Sequence, residues 1–286
     1  MIEIRELTKR YGEVAVVDGL SFTAEAGRVT GLLGPEGAGK TTTLRLLLGL
    51  SSPTAGSAAI GGREFFDHPP GPREVGALLD THGVYCRHVG NTAQEWLIGL
   101  ARRYGLPRGR VDQVLEEVGL TEAEHRRVGT FSLGMRHRLG IACALLADPP
   151  VLVFDEPLNG LDHRGLVWAR NLFRRLADEG RTVLVSGQPP IELAGLAEDL
   201  VVVAGGRRVE GRRAALLLGG DSRPRVQVRT PDFAVLAELL ADTGASVVLN
   251  EDQSLTVTGL TAQGIGDIAF LNVVPVHELA PEVPGR

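Results

Sequence analysis

Apolar and polar residues alternate over 2–8 (IEIRELT), and β-branched residues alternate over 14–23 (VAVVDGLSFT), which predicts two strands at the start of the chain. Val29 to Leu33 (VTGLL) is a short apolar strand that runs into a glycine-rich turn. Lys40 to Leu48 (KTTTLRLLL) has the length and leucine content of a helix, and Gly49 stands where a C-terminal glycine stop belongs. A turn follows over 51–56 (SSPTAG), then apolar helical periodicity over about 92–104, 111–118 and 135–147. Residues 152–154 and 182–186 are buried-type strands separated by a helix near 164–179, and 201–203 adds another strand. That βαβ alternation predicts a parallel sheet.

The pattern breaks at 218–224 (LGGDSRP), a short run of turn formers. Beyond it the periods spell strand (VQVRT), helix (DFAVLAELLADTG), two strands (SVVL, LTVTG), helix (AQGIGDIAFLN) and strand (VVPVHEL). This is the split βαβ order of a ferredoxin-like module. The expected organisation is one large α/β domain over 1–218 and a small α+β domain over 225–286.

Composition narrows the class. With 43% hydrophobic and 23% charged residues in 286, the chain can bury a large core and is not a disordered protein. A net charge of −5 argues against a nucleic-acid partner. The two cysteines, Cys86 and Cys143, form no CxxC or metal-ligand spacing, which fits a reducing compartment. No uncharged run approaches the roughly 18 residues of a membrane helix. The N-terminus lacks a basic head followed by an apolar stretch, so a cytoplasmic location is expected.

The chemistry begins at Gly34-Pro35-Glu36-Gly37-Ala38-Gly39-Lys40-Thr41, which fits GxxxxGK[ST] between a predicted strand and a predicted helix. Glycines let backbone N–H groups converge on phosphate oxygens, and the helix starting near Gly39 aims its positive end at them. Lys40 is then placed to reach the β- and γ-phosphates and Thr41 to hold Mg2+. A glycine turn matching by accident is a weak rival, because chance gives on the order of 0.003 matches in such a chain. The chain also contains only two lysines, Lys9 and Lys40, among its 30 basic residues, so lysine here is a chemical choice.

A second apolar strand, VLVF, ends in Asp155 and Glu156. Two acids at a buried strand end are costly unless cation or water chemistry uses them. Asp155 suits support of Mg2+, and Glu156 suits polarising an attacking water. Between these motifs lies Ser132-Leu133-Gly134-Met135-Arg136, opening a helical run. Read alone, Ser132 is an ordinary N-cap.

GPEGAGKTT, FSLGMRHRL and VLVFDEPLNGLD, in this order and spacing, resemble the ATP-binding cassette (ABC) family of transporter ATPases over about residues 2–215, and most nearly its ABC-2 type exporter branch. The resemblance implies a P-loop NTPase cassette with a helical signature subdomain, and ATP with Mg2+ as ligands. It implies that Tyr11 stacks on adenine, that Gly34 to Thr42 surround the phosphates, and that LNGLD is the loop after the water-polarising glutamate. It implies that Ser132 and Gly134 face the γ-phosphate held by a second cassette, in a homodimer or heterodimer. It further implies an integral membrane permease as partner, met by residues 81–90, with the chain peripheral at the inner face of the membrane.

Two positions depart from the family. Asp80 stands where a glutamine is usual and keeps an oxygen for Mg2+. Gln188 stands where a histidine is usual, and an amide donates to the γ-phosphate but carries neither proton nor charge. Nucleotide binding with slowed hydrolysis is the expectation. Two rival readings remain open: a regulatory ATP-binding module, and a soluble ABC ATPase outside transport, although the chain has one phosphate loop and no heptad run. His82, His88, His125, His137 and His163 form no ligand set and are assigned to packing or surface, and Cys143 to a helix's apolar face.

Overall fold

A computed structural model describes residues 1–65, 69–79, 90–159, 161–188, 196–210, 214, 225–250, 252 and 254–281. Contacts divide the chain into two units, Met1–Glu210 and Gly211–Arg286.

In the first unit, β1 (Ile2–Tyr11) pairs antiparallel with β2 (Val14–Ala24) and with β4 (Ala55–Ile60), and β5 (Arg63–Glu64) extends this sheet to the order β2-β1-β4-β5. The apolar alternation of β1 stops near residue 8, yet the strand continues to Tyr11. Register shifts between Ile4 and Arg10 absorb the broken pattern and keep β1 on β2.

The second sheet has the order β10-β9-β3-β8-β7-β6. Here β3 (Arg28–Leu33), β6 (Val75–Leu78), β7 (Val151–Phe154), β8 (Thr182–Gly187) and β9 (Asp199–Ala204) run parallel, and β10 (Arg207–Arg208) is antiparallel to β9. All of β7 and β8 is buried, which explains their unbroken apolar runs. Leu32, Val153 and Leu184 join Ile2, Leu7, Leu44 and Leu47 in one core. Thus α1 (Lys40–Leu47) is seated against both sheets at the C-terminal end of β3. In open α/β sheets, ligands sit at such strand ends.

The helical part carries α2 (Ala93–Arg103), α3 (Gly109–Glu117) and α4 (Leu133–Leu145), and α5 (His163–Asp178) leads from β7 to β8. A reciprocal cap between Thr92 and Glu95 starts α2. Ser132 caps α4, whose Leu139, Ile141, Ala142 and Leu145 are buried. Asp162 caps α5, whose Phe173 stacks on Phe154 with ring centroids 4.8 Å apart.

The second unit is β11 (Arg225–Arg229), α6 (Phe233–Ala241), β12 (Ser246–Leu249), β13 (Leu255–Thr258), α7 (Ala262–Leu271) and β14 (Glu278–Pro281). Its antiparallel sheet has the order β12-β13-β11-β14, the ferredoxin-like arrangement. Val226, Val228, Leu236, Leu240, Leu255, Val257 and Ile265 form its core.

Candidate functional site

The turn between β3 and α1 is shaped by glycine at two close approaches. A Cβ on Gly34 would lie 2.3 Å from the Val203 carbonyl oxygen, and one on Gly39 would lie 2.5 Å from that of Val16. Gly39 also holds φ +98°, a left-handed value. It is the N-cap of α1 and offers no side chain to the free N–H groups there. By contrast Thr92, Ser132, Asp162 and Thr261 cap α2, α4, α5 and α7 with their own oxygens. The first turn of α1 is therefore left with donors and a positive helix end for an anion.

Lys40 is the first residue of α1 and only 4% exposed. Its Nζ donates to the carbonyls of Gly34 at 2.8 Å and Pro35 at 3.0 Å and lies 3.3 Å from Glu156 Oε1. A buried ammonium needs such partners, and phosphate oxygens could replace them. Next to it, Thr41 Oγ1 donates to Asp155 Oδ2 at 2.7 Å.

Asp155 and Glu156 leave the end of β7 beside the end of β8. Ser186 on β8 donates its hydroxyl to Asp155 Oδ1 and accepts the Glu156 N–H at 2.9 Å. Glu156 holds φ +47°. For a residue with a Cβ that costs about 1–3 kcal/mol and persists where surroundings impose it. The Asn159 side-chain amide donates to Glu156 Oε2, and its backbone N–H lies 3.3 Å from the Glu156 carbonyl oxygen.

Lys40, Thr41, Asp155, Glu156 and Asn159 line one cavity of about 670 Å³ with Val16, Glu36, Gly37, Ala38, Gly39, Thr42, Leu133, His137 and Gln188. Most of the sequence-selected residues are thus brought together: Glu36 through Thr42, Asp155, Glu156 and Gln188 border it, while Gly34 and Pro35 hold Lys40 from behind. Asp80 lies outside the described residues, as do His82, Cys86, His88 and most of the 81–90 segment. Tyr11 ends β1, is 56% exposed, and carries Lys9 Nζ 5.1 Å above its ring, off the cavity lining. Ser132 accepts the Met135 N–H at 3.2 Å, and neither it nor Gly134 borders the cavity of its own chain.

The sequence reading passes over Ser186, places Asn159 only within LNGLD, and assigns His137 to packing or surface. His137 is 2% exposed on α4, with Nδ1 3.0 Å from the Pro157 carbonyl oxygen. A histidine within FSLGMRHRL was the available signal, and its partner twenty residues downstream was not. Cys143 is partly buried, and desolvation pushes its thiol up to about 12. Among the described residues no group of three or more His, Cys, Asp or Glu could hold a metal by itself. The hard oxygens of Thr41 and Asp155 nevertheless fit Mg2+, which takes few protein ligands and completes its shell with phosphates and water. No helix among the described residues is long and apolar enough to cross a membrane.

Comparison with known proteins gives the same picture. The family model "ABC transporter" matches residues 17–159, and a model of a domain of unknown function (DUF8746) matches 224–284. The bacitracin transport ATP-binding protein BcrA of Bacillus licheniformis is 40% identical over 73% of this chain and 69% of its own length. The Nod factor export ATP-binding protein I of Ralstonia nicotianae is 38% identical over 84% and 76%. A solved ATP-binding subunit of an ABC transporter aligns at a TM-score of 0.65, 27% identity, 77% of this chain and 95% of that one. A dimeric bacterial ABC transporter cassette aligns at 0.65 with 24% identity over 73% and 97%, a likeness of fold.

Proposed function

Because this chain belongs to the ABC transporter family, we propose that it is the ATPase subunit of an exporter, binding Mg-ATP in the cavity at Lys40 and driving a separate membrane permease. The observation that carries this reading is the convergence of Lys40, Thr41, Asp155 and Glu156 on one cavity beneath an uncapped helix start. Lys40 exchanges the Gly34 and Pro35 carbonyls and Glu156 for β- and γ-phosphate oxygens. Thr41 and Asp155 would hold Mg2+, with Asp80 as a further oxygen, and the ion would neutralise phosphate charge. Glu156, released from Lys40, polarises the attacking water. Tyr11 stacks on adenine.

Ser132 and Gly134 are absent from their own chain's cavity, which supports their use on the nucleotide of a second cassette, and a cassette of the same fold is dimeric. The export name of the Nod factor relatives supports an outward direction, and a separate permease as partner would hold the chain at the cytoplasmic face of the membrane.

Gln188 borders the cavity where a proton-carrying histidine is usual in the family. Losing one charge-assisted contact that strengthens in the transition state slows turnover by about 10²–10³. A steady-state assay tests this: Gln188→His raises kcat by about 10² or more with little change in nucleotide affinity. Equal, ordinary rates in both proteins overturn the slowed-hydrolysis reading. ATP binding without turnover, even beside the permease, would favour a regulatory module instead.

A further inference from the structure

His137 is a buried polar side chain that the reading above leaves without a task. A carbonyl oxygen only accepts, so the 3.0 Å contact to Pro157 requires a hydrogen on Nδ1. The bond grips the residue directly after Glu156. Glu156 sits in a left-handed backbone state that its neighbours must impose. Ser186 on β8 takes its N–H, and Asn159 bonds both its carbonyl and its carboxylate. His137 adds a hold from α4, the helix that Ser132 opens.

We infer that His137 and Asn159 are positioning residues for Glu156. Asn159 aims the carboxylate, and His137 ties the Glu156–Asn159 turn to α4. The inference rests on Glu156 polarising the attacking water, as proposed above. Its consequence is a mechanical link: the turn beside this chain's own nucleotide is fastened to the helix whose start is proposed to meet the nucleotide of the second cassette. Asn159 lies within LNGLD, so the loop carries an aiming group as well as a connection.

The test uses the full chain as wild type, His137→Leu, His137→Gln and Asn159→Ala, each also in the Gln188→His background. Three quantities are read: affinity for a fluorescent ATP analogue with Mg2+, steady-state kcat, and amide exchange of Asn159 and Leu161 without nucleotide. His137→Leu is expected to lower kcat about tenfold with affinity held within about twofold. Exchange at Asn159 and Leu161, whose amides lie 3.3 Å and 3.2 Å from the Glu156 and Leu158 carbonyl oxygens, accelerates. His137→Gln, which keeps a donor, recovers most of the rate.

A His137→Leu protein with unchanged kcat, an equal loss of rate and affinity, or a glutamine no better than leucine overturns the inference. Asn159 is exposed, so Asn159→Ala decides the matter if His137→Leu does not fold: an unchanged kcat in that variant overturns it. Failure of wild type to bind Mg-ATP removes the proposed function first. Binding with no turnover in either background removes the ATPase reading and this inference with it, whereas turnover in wild type that His137→Leu leaves unchanged overturns this inference alone.

Discussion

The two units bury different things. In Met1–Glu210 the buried set includes Lys40, Thr43, Asp155, His137 and Ser186, each tied to a partner around one cavity. In Gly211–Arg286 the described core is aliphatic apart from Thr230 and Ser254, and no buried charge is found among its described residues. Its large apolar side chains at the surface, Phe270, Leu271 and Val273, are 84%, 72% and 89% exposed. A buried charge is costly, so it persists where a reaction or ligand uses it. The contrast places the described buried charges in the first unit, and sets the second apart by apolar side chains at its surface.

The strongest attempt to break that contrast is Lys40→Ala. Removing the ammonium from under the phosphates weakens Mg-ATP binding by about 10³-fold, about 4 kcal/mol, in an equilibrium titration. No polar substitution in the second unit should approach this, and one that did would erase the division. Next comes Leu236→Ala, which empties a fully buried site in the second unit and destabilises it by about 3 kcal/mol in a denaturant melt. Nucleotide affinity should stay unchanged; a parallel fall would show the units to be one machine.

Smaller again is Ser132→Ala, which removes the cap of α4 at a cost of about 1 kcal/mol of stability. Under the proposed pairing it also loosens ATP-driven dimerisation, measured by sedimentation velocity with hydrolysis blocked by Glu156→Gln. The gentlest test is pH. Hydrogen bonds from the Ser254 side chain, then its backbone N–H, hold the Asp252 carboxyl below the usual carboxylate range, and Arg229 assists. A folded pKa below the unfolded one stabilises above the unfolded value and loses that support as pH falls through the folded value. The thermal midpoint of the second unit should therefore fall from about pH 4 downward. Asp252→Asn flattens that slope.

How much of this was legible in the sequence follows from the range of each interaction. The turn from Gly34 to Thr41 could be read because its requirement is local: glycine where backbone crowds, lysine and threonine at the helix start. The strand-helix-strand order after 225 could be read because period alone sets it. Ser186, Asn159 and His137 could not, since each matters through a partner in another element, and a serine at a strand end or a histidine in a helix has no pattern of its own. The continuation of β1 to Tyr11 was hidden for a related reason: shifted pairing with β2 rescues a stretch whose own alternation has lapsed.

The left-handed backbone at Glu156 sets stability against turnover at a single position. Glycine would relax that torsion but would also take from the buried Lys40 the carboxylate 3.3 Å away, so any heat resistance gained by losing the carboxylate is the difference between the two. A thermostabilised descendant of this chain should be sequenced at codon 156 before its loss of activity is blamed on any distant change.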